Sequence, residues 1–251
     1  MPVSVLEHAV VLPRQGFLTA WSMIDLPDPH PIIGTDRHLW TDDESTRALH
    51  EETLKLLAEK GLARGGRLNP LWINTLTLIA APSREFYAFS HYRDDSHGAV
   101  LVAASDTDGL RVIADPQAVI IEPIPATRLA TTLFDSLPPI DPAGVRAVSM
   151  TRAEAENGPA HPDDPLAEAP DTRDYDELVS VLGAPRDAAH QVYAACRRDG
   201  ERVRSSPITA LDLTGRGRVL TYATGDDRVV MHPATFRDSI LTLNDTLKGL
   251  S

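Results

Sequence analysis

Cysteine is nearly absent from this sequence, as are long apolar runs. Its only cysteine, Cys196, excludes an intrachain disulfide framework and any metal site built from several cysteines. No segment approaches the ~20 apolar residues of a membrane-spanning helix, so membrane insertion is not expected. The opening segment, MPVSVLEHAVVLPRQGF, has no basic stretch before an apolar core, unlike a secretory signal. The cytosol is therefore the expected compartment.

Basic residues are also fewer than acidic residues. The chain has 24 Lys and Arg against 36 Asp and Glu, which gives a formal charge of −12. Binding to nucleic-acid phosphates needs a basic stripe, and none is visible, so nucleic acid is not an expected partner. An acidic surface favours solubility and selects basic or neutral partners over acidic ones.

The motifs of common enzymes are missing as well. The sequence contains no G-x-S-x-G elbow, no G-x-x-x-x-G-K-[ST] phosphate loop and no G-x-G-x-x-G after a strand. Gly215–Gly217 lies between two strand-like runs, which indicates a hairpin turn and not an anion site. Cys196 falls in a helix-like segment without an evident histidine partner, which is typical of an unreactive thiol. We therefore expect neither an enzyme nor a cofactor.

The first half of the chain changes from helical to strand periodicity. Two helix-like segments lie before Pro82, and four strand-like runs with Asp- and Gly-rich connectors follow it. Such connectors are typical of hairpins, so the pattern predicts an antiparallel meander. The four runs are Arg84–Arg93, Gly98–Ser105, Leu110–Asp115 and Gln117–Glu122.

The second half opens with a loop-like stretch. Residues 153–174 carry four prolines and seven acidic residues without apolar periodicity, which predicts a solvated loop. Asp174–Leu182 and Pro185–Gly200 are helix-like. Three strand-like runs, separated by GRGR and GDD turns, and a final helix complete the chain.

A repeat links the two halves. The segments VIIEPIPATRLATTLFDSL, Val119–Leu137, and VVMHPATFRDSILTLNDTL, Val229–Leu247, share six identities in nineteen positions at an offset of 110. Chance would give about one. The chain thus reads as one domain, 1–251, of two related α+β halves, about 1–140 and 145–251. Two such meanders most economically share one sheet, with pseudo-twofold symmetry.

The strand Arg84–Arg93 is apolar or aromatic on both faces. Phe86 and Ala88 alternate with Tyr87 and Phe89, whereas a sheet with one solvated face alternates apolar with charged residues. One explanation is that helices of the same chain cover both faces. The other is a protein partner laid across one face, for which Tyr and His suit half-wet contact.

The order of elements resembles the EspG family of chaperones in actinobacterial type VII (ESX) secretion. The resemblance spans roughly residues 8–249. It rests on the acidic helix-to-glycine segment followed by NPLWINTLTLIAAPSREFYAF, and on SSPITALDLTGRGRVLTYATGDDRVVMHPATF. The segment PRQGFLTAWSMIDLPDPHPIIG departs from the family in lacking the acidic opening of its first helix.

The resemblance implies an α+β fold with a central antiparallel sheet, two flanking helical bundles and quasi-twofold symmetry. It also implies a cytosolic chaperone that binds the helical tip of the PPE subunit in PE–PPE heterodimers. Contacts would come from the sheet, the loop between its second and third strands, and a helical contribution from Asp174–Gly200 and the last helix. The implied partner-binding residues are Phe89, His91, Tyr92, Arg93, Asp94, Asp95, Ser96, His97, Val100 and Val102.

Two other interpretations remain open. One is a small-molecule-binding or hydrolytic protein with a pocket where His91, Asp95 and His97 converge. A metal held by His91, Asp94, Asp95 and His97 is not expected, because a hairpin tip is exposed and flexible. The other is a symmetric homodimer built on the repeat, which is compatible with the chaperone interpretation. If the loop binds a partner, Asp94 and Asp95 would select a tip with basic or donor groups.

Overall fold

Period-two apolar runs and short Asp/Gly turns give a fold dominated by one sheet. In the computed structural model, residues 5–34, 42–159 and 170–250 are described. The helices are α1 Arg14–Ser22, α2 Asp43–Glu59, α3 Pro70–Ala80, α4 Leu129–Asp135, α5 Arg152–Asn157, α6 Arg173–Leu182 and α7 Phe236–Lys248. The strands are β1 Val10–Pro13, β2 Ala63–Arg64, β3 Arg67–Leu68, β4 Arg84–Tyr92, β5 His97–Ser105, β6 Asp108–Ala114, β7 Ala118–Pro125, β8 Val148–Thr151, β9 Arg186–Arg198, β10 Glu201–Arg204, β11 Ile208–Leu213, β12 Gly217–Ala223 and β13 Arg228–Pro233.

Within the described ranges, eleven strands form one sheet in the order β1-β7-β6-β5-β4-β9-β11-β12-β13-β8, with β10 paired to β9 beside this path. All the pairs that build it are antiparallel. The two halves of the chain meet where β4 pairs with β9, in a register that sets Tyr87 opposite Tyr193. The predicted α+β class with a large antiparallel sheet is confirmed.

The strands follow one another in the same pattern from both edges of the sheet, and the two repeat segments occupy equivalent positions in it. From each edge, a short strand is followed by the strand that leads into a repeat helix, β7 into α4 and β13 into α7. The two helices pack together, with Leu133 and Leu243 in one core cluster and the rings of Phe134 and Phe236 5.9 Å apart. The arrangement supports the division into two related halves.

The expected helix Pro185–Gly200 is wrong, because this segment is the long central strand β9. Its buried positions alternate, with Ala188, Val192 and Ala194 turned to the core, as on a strand. Pairing with β4 on one side and β11 on the other overrides the helix preference of its alanines. Cys196 therefore lies on a strand, where it is buried and unpaired.

Two expectations about the bundles also change. The loop expected over 153–174 is helical at both ends, where Thr151 caps α5 with a capping box and α6 begins at Arg173; residues 160–169 lie outside the described ranges. The segment that lacks an acidic opening nevertheless forms α1, which buries Phe17 and Trp21. Packing against the sheet stabilises this helix without a charged first turn.

The core lies in three clusters on the two faces of the sheet. On one face, α4 and α7 cover the centre, against residues such as Ala88 and Val192. On the other face, α1, α2 and α3 cover the first half of the sheet, around Tyr87. On that same face α6 covers the second half, around Leu211. The centre of this second face lies between the two groups of helices.

Candidate partner-binding surface

The β4–β5 hairpin ends in a short, ordered turn. Asp95 has a positive φ of 62°, a conformation that Asp tolerates better than most residues. The Asp94 carboxylate accepts hydrogen bonds from the hydroxyl and the amide of Ser96, at 2.6 and 3.1 Å. These two bonds lower the pKa of Asp94 below its ordinary value, the hydroxyl contributing most. The turn therefore presents a fixed negative charge at neutral pH.

This turn is tied to the second half of the chain. The Arg93 amide donates to the carbonyl of Asp187 at 2.9 Å, and the Arg93 guanidinium lies 3.5 Å from the Asp187 carboxylate. Asp187 also accepts from the hydroxyl of Thr214, in the β11–β12 turn, at 2.8 Å. The hairpin tip is thus held beside the start of β9.

His91 and His97 face each other across the hairpin, with their Nδ1 atoms 3.1 Å apart. Asp95 lies 3.7 Å from Nε2 of His91, so the three predicted residues do come together. They do so in the open, with 57% of the His91 side chain and 93% of the Asp95 side chain exposed. Among the described residues, no group of three or more His, Cys, Asp or Glu is arranged to hold a metal ion.

The cavity beside the hairpin does not involve these histidines. It is an open depression of about 360 Å³, lined by Tyr92, Arg93, Asp94, Ser96 and Asp187. A substrate site encloses its ligand and converges polar groups on it. This shallow depression suits contact with a partner side chain better than chemistry on a small molecule.

A patch of sheet between the two helical groups stays open to solvent. It consists of Phe89 and Gln191, which are exposed, and Tyr193 and Thr209, which are half-buried. Phe89, Gln191 and Thr209 are paired in register across β4, β9 and β11, so their side chains share one face. We call these four residues the central surface. Phe89 is 36% exposed, and its ring lies 5.9 Å from that of Tyr87, edge to face.

Two predicted contact residues do not belong to this surface. Val100 is 5% exposed and Val102 is 0% exposed, and both pack in the cluster under α4 and α7. They point to the opposite face from Phe89, because Val100 pairs with Ala88 and Val102 with Phe86. Their predicted contact with a partner is wrong for this reason.

Of the helices expected to contact a partner, α6 lies on the same face as the central surface, whereas α7 lies on the opposite face. Helix α6 buries Leu178 and Val181 against the sheet, yet leaves Val179 49% and Leu182 42% exposed. Its last carbonyl, that of Leu182, accepts a 2.8 Å bond from Arg186 at the start of β9. Because Asp187 follows directly, the end of α6 lies near the hairpin tip. Exposed apolar side chains of this size on one helix are typical of a contact surface.

A buried network of hydrogen-bonded polar side chains lies on the opposite face of the same strands. Ser90 bonds to Nδ1 of His190 at 2.7 Å, and Nε2 of His190 bonds to Asp212 at 3.0 Å. Arg218 pairs with both oxygens of Asp212, at 2.5 and 2.8 Å, and donates to the carbonyl of Pro138. His190 is 0% exposed and Ser90 7%, so this serine, histidine and aspartate have no access to a substrate. The network instead links four central strands, β4, β9, β11 and β12.

Sequence reasoning missed several residues of this region. Gln191 and Tyr193 were hidden because β9 was interpreted as a helix, although the alternation of Ala188, His190, Val192 and Ala194 indicates a strand. The buried polar network was also missed, because Ser90 and His190 are separated by 100 residues and no local sequence pattern predicts their contact.

Comparison with known proteins places the chain in a family. The EspG family model matches residues 13–238. A search among curated proteins finds no match. Among solved structures, the Mycobacterium tuberculosis type VII secretion system chaperone EspG5, in complex with a PE25–PPE41 dimer, is similar with a TM-score of 0.70. That likeness covers 97% of each chain at 15% identity, which speaks for a shared fold. None of the described helices is long and apolar enough to cross a bilayer. The chain belongs to the EspG family.

Proposed function

We propose that this protein is a cytoplasmic chaperone of type VII secretion that binds the helical tip of the PPE subunit in PE–PPE heterodimers. The observation that carries the proposal is the meeting of three features on one face: the hairpin tip, the central surface and the exposed side of α6. Membership of the EspG family supports it, as does the likeness to EspG5, which was solved with a PE25–PPE41 dimer.

The proposed mechanism is selective binding without turnover. An apolar helical tip exposed to water associates with other such tips, and covering it with a soluble, acidic protein suppresses that association. Phe89 and the apolar side chains of α6 would cover the tip, while the hairpin carboxylates would select donor groups at its rim. Release to the secretion machinery requires that binding be reversible.

Co-expression tests the proposal directly. The protein is produced with each PE–PPE pair encoded near its gene, and the product is analysed by size-exclusion chromatography with light scattering. We expect a 1:1:1 complex with at least one pair, and poor solubility of that pair alone. A folded protein that associates with none of the pairs contradicts the proposal. The same run reports whether the free protein is a monomer or a symmetric dimer.

The hairpin charges provide a second prediction. Replacing Asp94 and Asp95 by asparagine removes both charges and keeps a residue that tolerates the positive φ of position 95. We expect about a fivefold loss of affinity for PE–PPE with an unchanged melting temperature, since rim charges contribute modestly. Isothermal titration calorimetry measures the loss.

The matched control lies at the other end of the same sheet. Asp106, with a φ of 52°, and Asp108 occupy the β5–β6 turn, and their double asparagine variant should bind as the wild type does. Equal affinities for the two double variants would remove the hairpin from the proposed interface.

A further inference from the structure

Arginine is concentrated at one end of the central surface. Three arginines lie within eight residues of sequence: Arg197 near the end of β9, and Arg202 and Arg204 on β10. Arg202 pairs in register with Arg197, and Arg204 with Ala195, so all three arginines share the face that carries Tyr193. We call these three residues the arginine corner. In a chain with a formal charge of −12, such a corner needs an explanation.

The charge of Arg202 is paired with a buried carboxylate of the same protein. Its guanidinium donates to the carboxylate of Glu85 at 2.6 Å and lies 5.2 Å from the centre of the Tyr87 ring. It also lies 2.9 Å from Nε2 of His30. Glu85 is 1% exposed, so Arg202 neutralises a carboxylate that would otherwise be buried and unpaired. Its role is structural: it fixes the stacked rings beneath the surface.

Arg204 is held in a different way. Its guanidinium lies 4.9 Å from the centre of the Tyr193 ring, and the Tyr193 ring stacks on Tyr87 with centroids 5.0 Å apart. In the part of the chain that the structure describes, Arg204 has no carboxylate partner, and the residue is exposed. The planar fork of N–H donors on a guanidinium suits bidentate pairing with a carboxylate.

The geometry points to Arg204 as the anchor for an acidic side chain of the bound partner. This inference rests on the proposed function and names the chemistry that the surface selects. The partner is a helical end with an apolar tip that reaches Phe89 and Tyr193, followed by an aspartate or glutamate that reaches Arg204. The contact with the Tyr193 ring favours one position of Arg204 before binding, so less side-chain entropy is lost when the pair forms.

Arg204→Gln tests the inference, with Arg198→Gln as its matched control. Arg198 is the neighbouring exposed arginine on β9 and, being one residue from Arg197, points to the other face of the sheet. The probe is the PE–PPE pair that co-purifies with the wild type, titrated by calorimetry at 50 and 300 mM NaCl (about 14 and 6 Å Debye length). We expect Arg204→Gln to bind about tenfold more weakly at low salt and to lose much of the salt dependence.

The outcomes separate this inference from the function on which it rests. If the wild type binds no pair, the proposed function fails and the inference fails with it. If the wild type binds and the two glutamine variants have equal affinity, the inference alone fails. Arg204→Lys keeps the charge without the planar fork, and we expect it to lie between wild type and Arg204→Gln. Affinity of Arg204→Lys at or below that of Arg204→Gln would contradict a role for charge.

Discussion

Replacing Arg218 by methionine should lower the free energy of unfolding by about 3–5 kcal/mol, because it leaves a buried carboxylate without its cation. Asp212 is 1% exposed and receives two hydrogen bonds from Arg218. Methionine keeps an apolar stem of similar length, although it removes the guanidinium that lies 5.5 Å from the centre of the Phe134 ring. Urea denaturation at pH 7 measures the loss.

An exposed ion pair supplies the control. Arg152 lies 2.7 Å from Asp227, with 47% and 73% of their side chains exposed. Solvent screens such a pair, so Arg152→Met should leave the urea midpoint almost unchanged. A loss as large as that of Arg218→Met would show that any missing arginine destabilises this sheet.

The pH dependence identifies the cause of the loss. Burial by itself would raise the pKa of Asp212, but the hydrogen bonds and charges of Arg218 and His190 more than offset it, and the pKa is lowered. The wild type therefore holds this stabilisation above the ordinary pKa of about 3.9, and loses it as the pH falls through the lowered value. Without Arg218 burial dominates and the pKa rises. The difference between variant and wild type should thus shrink as the pH approaches 4, whereas a packing defect would give a constant difference.

Replacing Phe89 by alanine should weaken PE–PPE binding by about 30-fold or more, which corresponds to about 2 kcal/mol. Phe89 is the exposed aromatic ring of the central surface, and its ring lies edge to face with that of Tyr87. Aromatic side chains at the centre of an interface carry a large share of its binding energy. Calorimetric titration with the co-purified pair measures the change.

Phe236 is the matched control for this prediction. It is 51% exposed and has its own edge-to-face contact 5.9 Å away, with Phe134, but it lies at the start of α7 on the opposite side of the sheet. Phe236→Ala should bind as the wild type does. Equal losses in the two variants would show that the binding energy is not concentrated on the central surface.

The sequence was sufficient to predict the meanders. Strands β4 to β7 and β11 to β13 alternate or run apolar between Asp/Gly turns, and each of the two repeat segments forms a strand followed by a helix, β7 with α4 and β13 with α7. Local signals were strong there because each hairpin is closed by neighbouring residues. The aromatic residues on both faces of Arg84–Arg93 allow either helices or a partner on the second face, and the family resemblance favours the partner.

The centre of the molecule was harder to predict. β9 is rich in alanine, and its conformation is decided by partners on β4, about 100 residues away, and on β11, about 20 residues away. The contact of Arg204 with Tyr193 is hidden for the same reason, because it depends on the strand conformation of β9. Val100 and Val102 were misplaced because alternation separates two faces without saying which face a helix covers.

The two outer strands restrict how a partner can be recognised. β1 and β8 have four residues each, and both run directly into a helix, α1 and α5 respectively. β1 also ends in Pro13, which has no amide hydrogen to donate. Edges this short offer few free backbone groups, so an unfolded or extended chain gains little by adding itself as a further strand. Under the proposed function, edges this short would not template the aggregation of an apolar client, and recognition would fall to side chains and not to backbone pairing.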